Sequence, residues 1–302
     1  MFDDSDPRKA LAPARKEQGF PGPFCGPEIG DLTGTEPQEQ GPGWQAWVMR
    51  STNLVLRVVS LDGTAVFTRK GQLDEYMVFS TDPGLRFTIG TAQGSVEDHP
   101  GNHLFILPPG DSRVVVSGKG TVTFAFTTRS ADLVALCSNP VVEANSNIPP
   151  FQPWPDPVEG FRLRAYDLDL PEAPGQFGRI FRCTTMMVNL MPPFAAARDT
   201  GQVSPHHHAT FEQISLTLTG DFEHHLRWPW TPNMAHWRDD MRIACASPSI
   251  TVLPPPAIHT TLWLTPGALI VDLFSPPRMD FSQREGWVRN GPDYPTARTD
   301  TE

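Results

Sequence analysis

The chain reads as an all-β protein built from two strand-rich segments in tandem. Three observations predict this. Proline and glycine are abundant, 33 and 24 of 302 residues. Proline thus stands at roughly twice its usual share of about 5%, which disfavours long helices and favours short strands joined by turns. Runs rich in β-branched and aromatic residues recur at short intervals between Gly, Pro and Asp, the pattern of an antiparallel barrel or sandwich. The rhythm then breaks at a Pro/Asn-rich stretch and begins again.

Taken in order, residues 1–43 are rich in Pro, Gly and charge and read as an irregular N-terminal arm. Residues 44–137 carry the first set of strand-like runs, among them WQAWVMR, NLVLRVVSL, EYMVFS, HLFILPP and TVTFAF. Residues 138–160 form a linker rich in Pro and Asn. Residues 161–280 repeat the strand-and-turn rhythm, through FEQISLTLTG, DFEHHLRW and ALIVDLF. Residues 281–302 read as an irregular, aromatic-rich tail.

Composition excludes several function classes. The net charge is −10 and no block of Lys or Arg stands out, which argues against a nucleic-acid partner. No apolar run reaches the ~18 residues that a membrane span needs, and the charged N-terminus lacks the apolar core of a signal peptide. Cys25, Cys137, Cys183 and Cys245 are far apart and form no C-x-x-C pair. Reduced thiols and a cytoplasmic location are the expectation.

The chemistry concentrates in Pro205–Gly220, PHHHATFEQISLTLTG. His206 and His208, one residue apart on an extended segment, share a face. His259 follows the stiff Pro254-Pro255-Pro256 turn. Neutral imidazole is the commonest metal ligand, and these three histidines form a candidate metal triad. His207 points to the other face and is expected in a supporting or packing role.

The spacing resembles that of the cupin family. His206-x-His208, Gln213 and Gly220 follow its first motif, and Pro254-x-Pro256 with His259 its second. Pro248 and Pro256 occupy two glycine places, and Trp263 the Asn place. The resemblance implies two tandem cupin (double-stranded β-helix, jelly-roll) barrels, with a divalent metal held by His206, His208, His259 and, by the motif, Gln213. Glu212 is the competing fourth ligand, because strand alternation puts it on the other face and one slip of register exchanges the two. The first segment keeps Pro108-x-Gly110 but has Arg113 in the His place. With Glu75 laid on the carboxylate place, Thr68 and Lys70 fall on the other two His places. Lys and Arg offer no lone pair near pH 7, so the first barrel is read as one without metal, serving packing, dimerisation (a homodimer) or closure of the second barrel.

Three histidines and a neutral amide leave a divalent ion its full charge, which favours an anionic oxygen chelate. The favoured ion is Fe(II), with Mn(II), Ni(II), Co(II) and Zn(II) compatible. The resemblance implies first a dioxygenase acting on a small oxygenated molecule. A redox-neutral isomerase, lyase or decarboxylase is the second reading and a non-catalytic binding protein the third. Around the site, Glu212 and His225 are candidate acid–base groups. Arg227, Trp228 and Trp230 are candidate substrate contacts, the two Trp as part of a stiff apolar wall.

Overall fold

The computed structural model describes residues 22–148, 151–171 and 178–297. The first 21 residues of the arm, and the tail from 298, lie outside the described residues. Eighteen strands and two four-residue helices are present among those described. The first nine strands are β1 (Glu28–Asp31), β2 (Glu39–Gly41), β3 (Trp44–Arg50), β4 (Leu54–Gln72), β5 (Tyr76–Ser80), β6 (Arg86–Thr91), β7 (Gly94–Pro100), β8 (His103–Leu107) and β9 (Gly110–Thr127). They are followed by β10 (Arg164–Asp167), β11 (Arg179–Arg182), β12 (Met187–Leu190), β13 (Glu212–Thr219), β14 (Asp221–Arg227), β15 (Met241–Ala246), β16 (Ser249–Leu253), β17 (Ile258–Trp263) and β18 (Leu269–Ser275).

Every strand pairing is antiparallel, and the fold is an all-β jelly roll in two halves. The first half is one nine-stranded sheet in the order β10-β8-β5-β9-β4-β3-β2, with β6 and β7 extending from β9. Its spine is the pair of long strands β4 and β9, in register from Leu54 opposite Thr127 to Arg69 opposite Ser112. The second half has a six-stranded sheet, β1-β16-β13-β18-β12-β11, and a three-stranded sheet, β15-β14-β17.

Period-2 alternation decides what each strand faces. In the first half Phe67, Tyr76, Val78, Phe105, Phe124 and Phe126 turn inward and form a dry aromatic core. A second core lies between the halves. There Leu54, Leu56, Met77 and Phe79 of the first half meet Ile214, Leu216, Val252 and Leu273 of the second. The apolar face of β13 is therefore spent on the neighbouring half, and its polar face, with Gln213, Ser215 and Thr217, lines the interior of the second half.

The halves exchange segments. Strand β1, in the stretch expected to be irregular, pairs with β16 from Glu28 opposite Val252 to Asp31 opposite Ser249. Strand β10, beyond the linker, pairs with β8 of the first half. The tail reaches back as well: the Tyr294 hydroxyl donates to Glu75 Oε1 at 2.9 Å. Glu75 also accepts from the Thr184 amide and hydroxyl, at 3.1 and 2.9 Å.

This corrects the expected register in the first half. Thr68 and Arg113 do lie opposite one another, but both are exposed, as is Lys70. The inward pair is Phe67 and Val114. Glu75 turns to the second half, and Tyr76 is the inward residue, its hydroxyl 2.8 Å from Ser112 Oγ. A shift of register between Arg69 and Gln72 moves the later residues out of the spacing that the motif assumes.

Candidate metal centre

The interior of the second half carries polar side chains from both of its sheets. Gln213 and Ser215 on β13, Thr251 on β16 and Asp272 on β18 lie on one sheet, in matching register. His224 on β14 and His259 and Thr261 on β17 face them from the other, with His224 opposite Thr261. The segment at Pro205 crosses the open end. There His206 forms an isolated antiparallel bridge with His259, through His206 N–H to His259 O at 3.1 Å and His259 N–H to His206 O at 2.7 Å. These two backbone bonds hold one loop histidine beside one strand histidine.

His206, His208 and His259 are the one group of three or more His, Cys, Asp or Glu side chains among the described residues that is close enough to hold a metal. Their ligand atoms lie within 4.8 Å of one another. His206, His208 and His259 are thus the side chains that would hold a divalent cation here. His208 and His259 are buried, and His206 stands at the exposed rim.

The hydrogen bonds prepare the rings. His206 Nδ1 lies 2.9 Å from the Ser204 carbonyl and His259 Nδ1 lies 3.0 Å from that of Ala257. A carbonyl can only accept, so each Nδ1 carries the proton and each Nε2 keeps its lone pair. His259 Nε2 is buried with no hydrogen-bond partner, a cost that a cation would remove. His208 Nε2 donates to Gln213 Oε1 at 2.8 Å, a bond that a cation held by the two groups would replace. Gln213 is oriented by its own amide, which donates to Ser215 Oγ at 3.1 Å, and Ser215 donates to Asp272 Oδ1 at 2.6 Å.

Burial keeps the imidazoles neutral. It pushes His208 down to about 2 and His259 to about 3, and lowers His206. The donor set of three neutral imidazoles and one amide oxygen fits a divalent cation. Burial also raises Asp272 to about 6.

The triad opens onto a cavity of about 390 Å³. Gln213, His206 and His259 form its polar end. Arg198, Arg278 and Asp272 also line it, with Met191, Phe194, Ile270, Phe274 and Phe281 as apolar walls. Arg198 and Arg278 both act on His206, lowering its proton affinity.

Several sequence-predicted residues lie elsewhere. Glu212 is on the opposite face of β13. Its carboxylate accepts from Ser51 Oγ at 2.6 Å and from the Thr52 and Asn53 amides at 3.0 and 2.7 Å, so it fastens the two halves and does not face the histidines. His225 is on the outer face of β14 with Glu223 Oε1 2.7 Å away. The inward histidine is its neighbour His224, fully buried, with Nδ1 2.8 Å from Thr261 Oγ1. Arg227 is exposed and paired with Asp240. Trp228 is buried under the barrel among Phe24, Leu226 and Ile243, donating to the Cys25 carbonyl. Trp230 is 78% exposed and stacks on Trp237. None of these lines the histidine cavity. His207 is exposed beside the triad.

Sequence reasoning missed Arg198, Arg278 and Asp272. The two arginines are in loops without periodicity. Asp272 has a signal: it sits in the apolar run ALIVDLF, where a carboxylate on a buried strand is costly and often functional.

No family model matches this sequence, and no curated protein matches it. Solved structures share the fold. An oxalate decarboxylase from Bacillus subtilis, described with its Mn(II) centres, superposes with a TM-score of 0.50, covering 88% of this chain and 80% of its own at 13% identity. Another oxalate decarboxylase structure, concerned with substrate binding mode, gives 0.52 over 88% and 80% at 12% identity. The protein Ylba from E. coli gives 0.51 over 89% and 96% at 12% identity. At such identities the likeness is one of fold, and function has to be argued from the site.

Proposed function

We propose that this chain is a metal-dependent cupin enzyme whose second half holds one divalent cation and whose first half holds none, and that it decarboxylates a small oxygenated acid without net oxidation. The observation that carries this reading is the meeting of three neutral histidines and the Gln213 carbonyl at one end of a cavity flanked by two guanidinium groups. His206, His208, His259 and Gln213 would hold the ion. When bound, it supplies Lewis acidity toward a substrate oxygen, undiminished by any anionic ligand. Arg198 draws a carboxylate into the cavity and orients it. The apolar walls exclude water from the bond that breaks. In that step the carbon–carbon bond to the carboxylate breaks, carbon dioxide leaves without the electron pair, and the remaining carbon takes up one proton. Asp272, the carboxylate among the lining residues, is the group placed to carry that proton.

The likeness to oxalate decarboxylase supports this redox-neutral reading over the dioxygenase expected from the sequence, and it favours Mn(II) over Fe(II). The test is elemental analysis of anaerobically purified protein, then parallel assays of carbon dioxide release and oxygen uptake with a panel of 2-oxo, 2-hydroxy and dicarboxylic acids. Carbon dioxide release without oxygen consumption is expected. Oxygen uptake matching substrate loss would overturn the reading in favour of the dioxygenase. Turnover retained by His206→Ala/His259→Ala would remove the metal site altogether.

A further inference from the structure

Arg198 is held by neutral groups. Its Nη1 donates to the Thr261 carbonyl at 2.7 Å and its Nη2 to Ser204 Oγ at 2.8 Å. Its guanidinium lies 4.8 Å over the Trp263 ring, and Trp263 is itself stacked on Phe194 at 3.7 Å and 6°. The column Phe194–Trp263–Arg198 thus fixes the guanidinium plane at the cavity wall. Among the described residues no carboxylate pairs with it. Arg278 differs: it is paired with Asp280 at 2.7 Å, and it lies 3.5 Å from the Phe281 ring centroid and 5.0 Å from that of Phe274. The cavity wall therefore carries, at Arg198, a guanidinium with no ion-paired carboxylate among the described residues, beside an apolar part lined by Met191, Ile270, Phe274 and Phe281.

The chamber is large for a two-carbon acid. The whole cavity, at about 390 Å³, lies within the ~300–1,000 Å³ of pockets that enclose drug-sized ligands. A diacid bound at the polar end would leave the aromatic walls facing water and would present a second anion to an apolar surface. An aromatic ring satisfies those walls through edge-to-face contacts with phenylalanine and sulfur contact with Met191.

We propose that the substrate is an aromatic carboxylic acid, its carboxylate held by Arg198 and its ring in the chamber of Met191, Ile270, Phe274 and Phe281. This rests on the cavity being the substrate site, and it narrows the decarboxylase reading to an aryl-bearing acid. The test is equilibrium binding by calorimetry to the Mn(II)-loaded protein and to the metal-free protein, with benzoylformate, pyruvate and oxalate as probes. Benzoylformate is expected to bind about 50-fold more tightly than pyruvate in both forms, the gain from burying a phenyl group. Arg198→Met is expected to weaken benzoylformate about 30-fold with metal content unchanged, and Arg198→Lys to restore part of that loss. Ile270→Phe, which fills the chamber, is expected to cancel the preference for the ring while pyruvate binding persists. Oxalate or pyruvate binding as tightly as benzoylformate, or benzoylformate affinity indifferent to Arg198→Met, would overturn the proposal. A protein that binds no metal but keeps the Arg198-dependent ring preference would refute the decarboxylase reading and leave the aromatic-acid site standing.

Discussion

The two halves are both built of antiparallel strands and differ in what they put inside. The first encloses Phe67, Tyr76, Phe105, Phe124 and Phe126, where rings pack at centroid distances such as 4.6 Å between Tyr76 and Phe126. The second encloses Gln213, Ser215, Thr217, Thr251, Asp272, His224 and His259, all buried or lining the cavity. An aromatic interior is worth several kcal/mol per ring. A polar interior lacks that gain and must satisfy each group by hydrogen bonds. The second half recovers stability outside its barrel, because the apolar faces of β13, β16 and β18 are buried against the first half. One half thus acts as the hydrophobic support for the other's site.

The largest expected effect breaks the supporting half. Phe124 is 1% exposed at the centre of the first interior. Phe124→Ala should cost about 4 kcal/mol, read as a lower urea midpoint, while metal content per folded molecule stays at the wild-type value. Loss of metal at denaturant concentrations where the variant is still folded would show that the first half tunes the centre as well as supporting it.

A second pair of changes uses neighbours on one strand. Glu212→Ala orphans the Ser51 hydroxyl and the Thr52 and Asn53 amides and should cost about 3 kcal/mol without loss of metal. Gln213→Ala should do the reverse, leaving stability nearly unchanged and weakening metal affinity on the order of tenfold. Metal titration and urea unfolding of both variants check this together. The same result for both changes would mean that the two faces of β13 are not functionally separate.

That strand also shows what was legible in the sequence. The triad was legible because His206, His208 and His259 sit at motif spacings. The motif spacing pointed to Gln213 for the fourth position, but alternation left Glu212 open, because it reads the apolar face of Ile214 and Leu216 as the interior, and here that face meets the other half. The same ambiguity hid Tyr76 behind Glu75. The pairing of β1 with β16 and of β10 with β8 left no sequence signal, since a short strand carries no mark of its partner. Arg198 and Arg278, in loops, belong to no period at all. Trp228 and Trp230 looked alike in sequence and proved to be a core plug and a surface stack, a distinction set by which strand edge the loop crosses.

The smallest effect tests the seam. Glu75 and Glu212 mirror one another: each is fully or nearly fully buried, and each accepts hydrogen bonds from the other half. Burial raises the proton affinity of both above an ordinary value of 4.5, against the opposing pull of those donors. In the unfolded chain each loses its proton near that value, whereas in the folded protein each holds it to higher pH. The folded state therefore binds more protons through this interval, and the stabilising share of the pair declines as pH rises across it. Glu212→Gln removes one of the two titrations. The difference in urea midpoint between wild type and this variant should move in the variant's favour from about pH 4 to about pH 7. A difference that stays constant would place the folded-state titration of Glu212 at its ordinary value, and would mean that the amide donors of Thr52 and Asn53 offset burial in full.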